Sequence, residues 1–171
     1  MRSFSRYLFI ILLSFTLIFP LTHNVAAQQD NPLTQSGEYA SEGETSSIDE
    51  EAVKKLRKMS PEEIEELDKK LAEALTLYYD NKFGKAIPIF NEVAGNVETM
   101  DIMWWIGTSA MKSGQLELAR EKFREMLAAN PNLHRVRLEL ATIYFKMGQY
   151  EEARKEIETV KRANPPESVQ K

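Results

Sequence analysis

The sequence has no cysteine among its 171 residues. This absence excludes disulfide-stabilised scaffolds, cysteine-ligated zinc or iron–sulfur sites, thiol catalysis and a lipid anchor on an N-terminal cysteine. Positive charge is also scarce, with 22 Lys and Arg against 26 Asp and Glu. A general nucleic-acid binder presents a clustered cationic surface, so the net charge of −4 argues against that class.

Residues 1–27 have the pattern of a cleaved signal peptide. Two arginines precede an apolar run over residues 7–19, and small residues lead up to Ala27. We predict cleavage between Ala27 and Gln28. The alternative is an uncleaved membrane anchor, but a helix over this run spans only about 20 Å of the roughly 30 Å hydrocarbon core. Cleavage removes two arginines and no acid, so the net charge changes from −4 to −6, and the mature protein is expected to be exported to the periplasm.

Residues 28–59 are expected to form an acidic, flexible linker. Seven acids precede its first base, in a setting of Gln, Ser, Thr, Gly and Pro that is typical of a solvated segment. A transient helix over residues 47–59 is the alternative for the last part, because Ser47 and Glu50 have the spacing of a capping box. The negative charge belongs to this N-terminal arm, since residues 67–171 carry 15 acids and 16 bases.

Residues 60–171 are predicted to form a domain of six helices. Ser60 is followed by Pro61 and Glu63, the arrangement of a capping box with proline in the first turn, so a helix is expected to begin at Pro61. Apolar residues then recur at a spacing of three to four residues. Residues that favour the left-handed backbone conformation at the C-terminus of an α-helix follow each apolar stretch, at nearly even intervals along the chain. These stop residues are Gly95, Gly114, Asn130, Gly148 and Asn164.

An internal repeat decides the architecture. Residues 114–120 (GQLELAR) recur as residues 148–154 (GQYEEAR), and the Asn-Pro pair at 130–131 recurs at 164–165 with the same offset. A weaker copy lies at residues 81–86, where the offset to the next copy is one residue shorter. This pattern resembles the tetratricopeptide repeat, in which two antiparallel helices form each unit of about 34 residues and a proline closes it.

The resemblance implies an all-α fold, a right-handed solenoid of three helix pairs. The units are expected at about residues 67–99, 100–133 and 134–167. Small residues are expected where the two helices of a pair touch. They are Gly107, Ala119, Ala141 and Ala153. The first unit departs from the pattern, because Val97 replaces the closing proline and the first helix fits best one residue out of register.

The resemblance also implies a binding groove that the first helix of each unit lines. The groove positions of the family fall on Tyr79 in the first unit, on Asp101, Trp104, Thr108, Met111 and Lys112 in the middle unit, and on Arg135, Leu138, Thr142, Phe145 and Lys146 in the last unit. Threonines stand where the family version that clamps a C-terminal carboxylate has asparagine, so that clamp is not expected. An apolar groove with basic edges favours a peptide or protein segment with aromatic or aliphatic anchors and some acids.

Packing is the alternative interpretation for several of these residues. Trp104 and Trp105 are adjacent and about 100° apart around a helix, so at most one of them points squarely into the groove. Leu138 and Phe145 fit core or inter-repeat packing as well as they fit ligand contact. The basic residues at the groove edges fit an ordinary solvated rim equally well. Tyr79 faces the groove in either register of the first unit.

Residues with catalytic or metal-binding chemistry are few in the mature chain. His134 is its single histidine and is interpreted as a solvated or capping residue. The sequence contains no nucleophile elbow, phosphate loop, dinucleotide fingerprint or paired-carboxylate motif. We therefore expect no enzyme activity, no metal site and no cofactor. An enzyme with an unrecognised site is the remaining alternative.

A narrower resemblance covers residues 123–171. The run at 135–141 (RVRLELA) and the double proline at 165–166 are similar to the periplasmic domain of the surface lipoprotein assembly modifier family. In that family the repeat domain precedes an outer-membrane β-barrel that moves proteins to the cell surface. No barrel follows Lys171, so this chain is not expected to perform that translocation alone.

The leading hypothesis is a non-catalytic exported adaptor that binds a peptide or protein segment in the groove. The rival hypothesis is a soluble part of, or accessory to, an outer-membrane machine that moves proteins to the cell surface, with a barrel as its partner. Little sequence follows the last helix pair, so a partner or a second copy of the chain is expected to dock on its exposed side. Neither nucleic-acid binding nor stable membrane insertion of the mature chain is expected.

Overall fold

The computed structural model describes residues 47–163, which form seven α-helices joined by short turns. They are α1 (Ser47–Leu56), α2 (Pro61–Tyr79), α3 (Phe83–Asn96), α4 (Met100–Lys112), α5 (Leu116–Ala129), α6 (His134–Lys146) and α7 (Tyr150–Ala163). The signal peptide, its cleavage site, the arm up to residue 46 and the Asn-Pro pair at 164–165 lie outside the described residues. Within the described part, no helix has the length and apolar character that crossing a membrane requires.

Helices α2 to α7 form three antiparallel pairs, α2–α3, α4–α5 and α6–α7, which stack into a solenoid. The predicted all-α solenoid of three helix pairs is confirmed. One continuous apolar core runs through the stack, and its fully buried members include Leu71, Phe90, Ile106, Phe123 and Leu140. Each pair therefore depends on its neighbour to complete its core.

The start of α2 follows the predicted capping box. The Ser60 Oγ accepts a hydrogen bond from the Glu63 N–H at 3.2 Å, and the Glu63 carboxylate accepts one from the Ser60 N–H at 2.7 Å. Pro61 occupies the first helical position, where the lack of an N–H costs nothing. This helix begins at Pro61, as the sequence predicts.

The turn inside each pair has the same geometry. Its central residue has a left-handed backbone, with φ of 60° at Asn81, 82° at Gly114 and 75° at Gly148. In each turn the next residue donates its N–H to a carbonyl five residues earlier, at 2.8, 2.8 and 2.9 Å. These three turns confirm the repeat spacing, including the shorter first interval from Asn81 to Gly114.

The turns between pairs differ from the prediction. Gly95 lies inside α3, and Asn130 has an extended backbone with φ of −143°. The Asn130 Oδ1 instead accepts a hydrogen bond from the Asn132 N–H at 2.9 Å. The second helix of a pair thus ends in extended backbone, so neither residue needs the left-handed conformation that the sequence pattern suggests.

Helix α1 lies in the segment that the sequence assigns to the flexible linker. Ala52 and Leu56 are buried in the core. The Asp49 Oδ1 accepts a hydrogen bond of 3.0 Å from the Met100 N–H at the start of α4. The flexible-linker prediction is therefore wrong for residues 47–56, which form the helix that the sequence offered as the alternative, although this helix is docked on the core and is not transient. The reason is a contact between residues 51 positions apart, which local composition does not reveal.

Candidate functional site

The first helices of the three pairs, α2, α4 and α6, carry all the residues that the sequence assigns to the groove. We call the side formed by these helices the groove face. The exposed residues are Tyr79, Lys112, Thr142, Phe145 and Lys146. The half-buried residues are Asp101, Met111, Arg135 and Leu138, and the buried residues are Trp104 and Thr108. The predicted set is therefore only in part available to a ligand.

Trp104 lies at the junction between the second and third pairs. Its ring packs against Phe123 of its own pair, with 5.5 Å between ring centroids, and the Arg135 guanidinium of the next pair stands 5.1 Å from the ring centroid. Only 6% of Trp104 is exposed. Thr108, one turn later, is also buried, and its Oγ1 donates a hydrogen bond to the Trp104 carbonyl at 2.8 Å. Trp104 thus serves the packing of one pair on the next, the role that the sequence left as its alternative, and Thr108 is hydrogen-bonded within its own helix.

Trp105 lies at the junction between the first and second pairs. Its ring stacks on Phe90 with 5.8 Å between centroids and 16° between ring planes. Trp104 and Trp105 thus contact different neighbouring pairs, in keeping with their separation of about 100° around the helix. Neither indole presents a large open surface.

Lys112 and Tyr79 lie at the end of the groove face near the turns inside the pairs. The Lys112 Nζ stands 5.0 Å from the Phe83 centroid and 5.7 Å from the Tyr78 centroid, so two rings of the preceding pair position this cation. Tyr79 packs edge-to-face on Tyr78 at 5.4 Å and is 42% exposed. Burial, together with the neighbouring Tyr78, raises the pKa of the Tyr79 phenol, which is therefore a neutral hydrogen-bond donor and acceptor at physiological pH.

Glu139 is a groove-face residue that the sequence reasoning missed. Burial raises the pKa of its carboxyl above the ordinary range, although the charges of Arg135, Lys112 and Lys146 act to lower it. Three cations from two neighbouring pairs thus lie near enough for their charges to act on one carboxyl, and we call them the cation cluster. Glu139 takes the repeat position of Trp105, so the family pattern contained no signal for an acid there.

A second surface opens on the outer side of the last pair. Phe145 and Tyr150 pack edge-to-face with 5.3 Å between centroids, and they are 64% and 63% exposed. Ile157 is 39% exposed, and Leu138 is half-buried. We call Leu138, Phe145, Tyr150 and Ile157 the end face. The sequence reasoning missed Tyr150 and Ile157, although the apolar spacing of α7 was a signal for both.

Groups with metal-binding or catalytic chemistry are sparse in the part of the chain that the structure describes. No group of three or more histidines or acids there is placed to hold a metal ion. His134 is the first residue of α6, and its backbone N–H donates to the Asn132 carbonyl at 2.8 Å.

Models of known protein families match the part of the chain that forms the helix pairs. Models described as tetratricopeptide repeat match residues 71–134 and residues 110–171. The chain contains tetratricopeptide repeats. A third model, described as RPAP1-like, N-terminal, matches residues 46–76, which cover α1 and most of α2. No curated protein is significantly similar to the chain in sequence.

Solved structures of tetratricopeptide-like proteins share the fold. AMB-1 MamA is 23% identical with a TM-score of 0.53, and the match covers 56% of this chain and 57% of MamA. PcrH, in complex with the chaperone binding region of PopB, is 17% identical with a TM-score of 0.55, covering 61% of this chain and 89% of PcrH. SycD, the Yersinia enterocolitica type III secretion translocator chaperone, is 20% identical with a TM-score of 0.52, covering 59% of this chain and 79% of SycD. The chain thus spans little more than half of MamA, and at these identities the likeness shows the fold alone.

Proposed function

We propose that this protein is a non-catalytic adaptor that binds a peptide or protein segment on the groove face. The observation that carries the proposal is the cation cluster, in which exposed Lys112 and Lys146 and half-buried Arg135 all act on the carboxyl of Glu139. The solved complex of PcrH with a region of PopB supports it, since it shows a protein of this fold holding a segment of another protein.

The chemistry of the groove face favours a segment with acids beside an aromatic or aliphatic anchor. Lys112 and Lys146 are exposed and occupy equivalent positions of consecutive units, at the ends of α4 and α6. Tyr79, at the end of α2, offers an exposed ring with a polar hydroxyl. A carboxylate that approaches the two lysines gains charge-assisted hydrogen bonds, while the anchor covers the ring.

The N-terminal pattern supports export, so we propose that the adaptor acts in the periplasm. The resemblance of residues 123–171 to the surface lipoprotein assembly modifier family supports a narrower candidate, an accessory of an outer-membrane export machine. A gene for an outer-membrane barrel beside the gene for this protein would favour that candidate.

The groove is tested by selecting peptides from a random display library on the chain from Gln28 to Lys171. We expect the selected peptides to be enriched in acids that flank aromatic or aliphatic residues. The double substitution Lys112→Gln and Lys146→Gln should weaken their binding by about two- to thirtyfold, because each lost ion pair contributes about 0.2–1 kcal/mol. Titration of fluorescent peptides measures this effect.

The matched control removes two exposed lysines from second helices, Lys85→Gln on α3 and Lys155→Gln on α7. This variant has the same net charge as the test variant, so general electrostatic attraction affects both equally. Equal binding to the two variants would show that the peptides bind another face. Unchanged far-UV circular dichroism confirms that both variants are folded.

A further inference from the structure

Each junction between helix pairs places a cation of the following pair over aromatic rings of the preceding pair. At the first junction the Lys112 Nζ lies 5.7 Å from the Tyr78 centroid and 5.0 Å from the Phe83 centroid. At the second junction the Arg135 guanidinium lies 5.1 Å from the Trp104 centroid. A cation over a ring is thus part of how one pair recognises the next.

The last pair repeats the ring arrangement of the first pair. Tyr78 and Phe83 flank the first intra-pair turn, with 5.4 Å between centroids and 78° between planes. Phe145 and Tyr150 flank the third such turn, with 5.3 Å and 63°. The two ring pairs have the same separation in sequence and the same position relative to the left-handed turn residue. Within residues 47–163, Lys112 covers the first ring pair, and no cation stands over the second.

The rest of the end face shows the same contrast with the preceding pairs. Ile157 takes the repeat position of Phe90 and Phe123, which are both 0% exposed, yet Ile157 is 39% exposed. Leu138 takes the position of Trp104 and is half-buried, whereas Trp104 is 6% exposed. At the first two junctions these repeat positions are buried. On the last pair, Leu138 of α6 and Ile157 of α7 are more exposed than their equivalents.

The outward side of α2 does not match this surface. Its exposed residues include charged side chains at helical spacing, such as Glu62, Glu65, Lys69 and Glu73, and Glu65 and Lys69 pair with each other at 2.8 Å. Stacking the first pair of a second copy on the end face would bury these charges against Phe145 and Ile157, at a cost in desolvation. These charges therefore disfavour a second copy of this chain as the occupant of the end face.

We propose that the end face binds an amphipathic helix of a partner protein, in the place that α4 and α6 take on the preceding pairs. Aliphatic residues of this helix cover Leu138 and Ile157, and a lysine or arginine near the C-terminal end of its apolar face stands over Phe145 and Tyr150, as Lys112 does over Tyr78 and Phe83. The end face shares Leu138 and Phe145 with the predicted groove positions, but the two proposals are tested by different substitutions in the chain, at Phe145 and Tyr150 here and at Lys112 and Lys146 for the groove.

The probe is a synthetic peptide of residues 134–163, because α6 already covers the second pair and Lys146 takes the repeat position of Lys112. It is titrated into the chain from Gln28 to Lys171. We expect saturable binding that Phe145→Ala or Tyr150→Ala in the chain weakens by about tenfold or more, since both rings are central anchors. The peptide with Lys146→Gln should bind about two- to fivefold more weakly, the range for a lost cation–π contact at an exposed site.

The control variant is Thr76→Ala, an exposed position on the outward side of α2, and it should bind the peptide as the parent chain does. Phe145 and Tyr150 are mostly exposed, so their variants should unfold at the same temperature as the parent.

Absence of binding, or binding that neither ring substitution weakens, overturns the proposal. Two other occupants give distinct results. A dimer of the parent chain that Phe145→Ala dissociates identifies a second copy, and tighter peptide binding after removal of residues 164–171 identifies the chain's own tail. Either result also overturns the proposal.

Discussion

Gly107 lies directly against the Phe123 ring of the other helix in the middle pair. A Cβ added to this glycine would lie 2.5 Å from the Phe123 Cε1, and 3.0 Å from both Cδ1 and Cζ. Phe123 is itself fully buried and packs on Trp104 at 5.5 Å. The ring therefore cannot move aside without disturbing the junction to the third pair.

Gly107→Ala is expected to lower the free energy of unfolding by about 1–3 kcal/mol, because the added methyl group overpacks the core. Gly84→Ala on α3 is the matched control, since nothing lies within 4 Å of the Cβ that alanine would add there. That change should be neutral or stabilise by up to about 1 kcal/mol, because alanine favours the helix. Urea denaturation measures both. Equal stability of the two variants would show that the Phe123 ring has room to shift.

At the residue scale, the sequence predicts that the two helices of the middle pair touch at Gly107. It does not predict that Trp104 and Thr108 are buried. The repeat pattern identifies the side of the helix on which a residue lies. Whether the next pair covers that side depends on contacts with residues of that pair, such as Arg135. The same limit explains why Glu139 was missed, since its neighbours come from two pairs.

At the scale of elements, buried Ala52 and Leu56 hold α1 in the fold, together with a hydrogen bond between Asp49 and the start of α4. Thr99 caps α4 through its Oγ1, which accepts the Ile102 N–H at 3.2 Å. Asp49 accepts the Met100 N–H at 3.0 Å. Two of the four unpaired amides at the start of α4 are thereby satisfied, and a carboxylate lies at the positive end of the helix dipole.

Asp49→Ala is expected to destabilise the protein by about 0.5–2 kcal/mol, the usual cost of a lost helix cap. Asp49→Asn should lose less, because it keeps an oxygen acceptor and removes only the charge. Glu50→Ala is the control, as Glu50 is exposed in the same turn of α1. Hydrogen exchange of the Met100 amide reports the cap directly. The assignment is wrong if Asp49→Ala and Glu50→Ala exchange and unfold alike.

The sequence correctly predicts those helix starts and turns that are determined by residues close together in the chain. Ser60, Pro61 and Glu63 act within one turn, and Gly114 and Gly148 act within one loop. Asn81 adopts the same left-handed backbone but was not among the predicted stops, although the weaker repeat copy at residues 81–86 aligns it with Gly114. Helix α1 was placed in the linker because its partner lies far along the chain.

At the scale of the whole molecule, burial is unequal along the solenoid. Helix α3 buries Ala86, Ile87, Phe90 and Val93, whereas α7 buries only Ala153 and Val160. Because the pairs are stabilised by their own cores and by their neighbours, the last pair should open before the first. The two indoles report on the two junctions, since Trp105 stacks on Phe90 and Trp104 lies under Arg135.

This gradient is measured with two single-tryptophan variants in urea. In Trp105→Phe the remaining Trp104 should become exposed at a lower urea concentration than the midpoint of far-UV circular dichroism. In Trp104→Phe the remaining Trp105 should change at or above that midpoint. The comparison is made within each variant, so the cost of the substitution itself cancels. A fluorescence midpoint that coincides with the dichroism midpoint in both variants would mean that the solenoid unfolds as one cooperative unit.

The extensive helix contacts all join helices that are neighbours in the chain. Such local contacts require little loop closure, so each pair is able to form quickly once its own residues are available. The hydrogen bond from Met100 to Asp49 is different, because it joins residues 51 positions apart. During synthesis, α1 leaves the ribosome well before α4, so the hydrogen bond between Asp49 and Met100 forms only after the start of α4 has been made. The first helix of the described chain is therefore fixed at this contact only after α2 and α3 have been made, and the contact reports that the start of the second pair is in place.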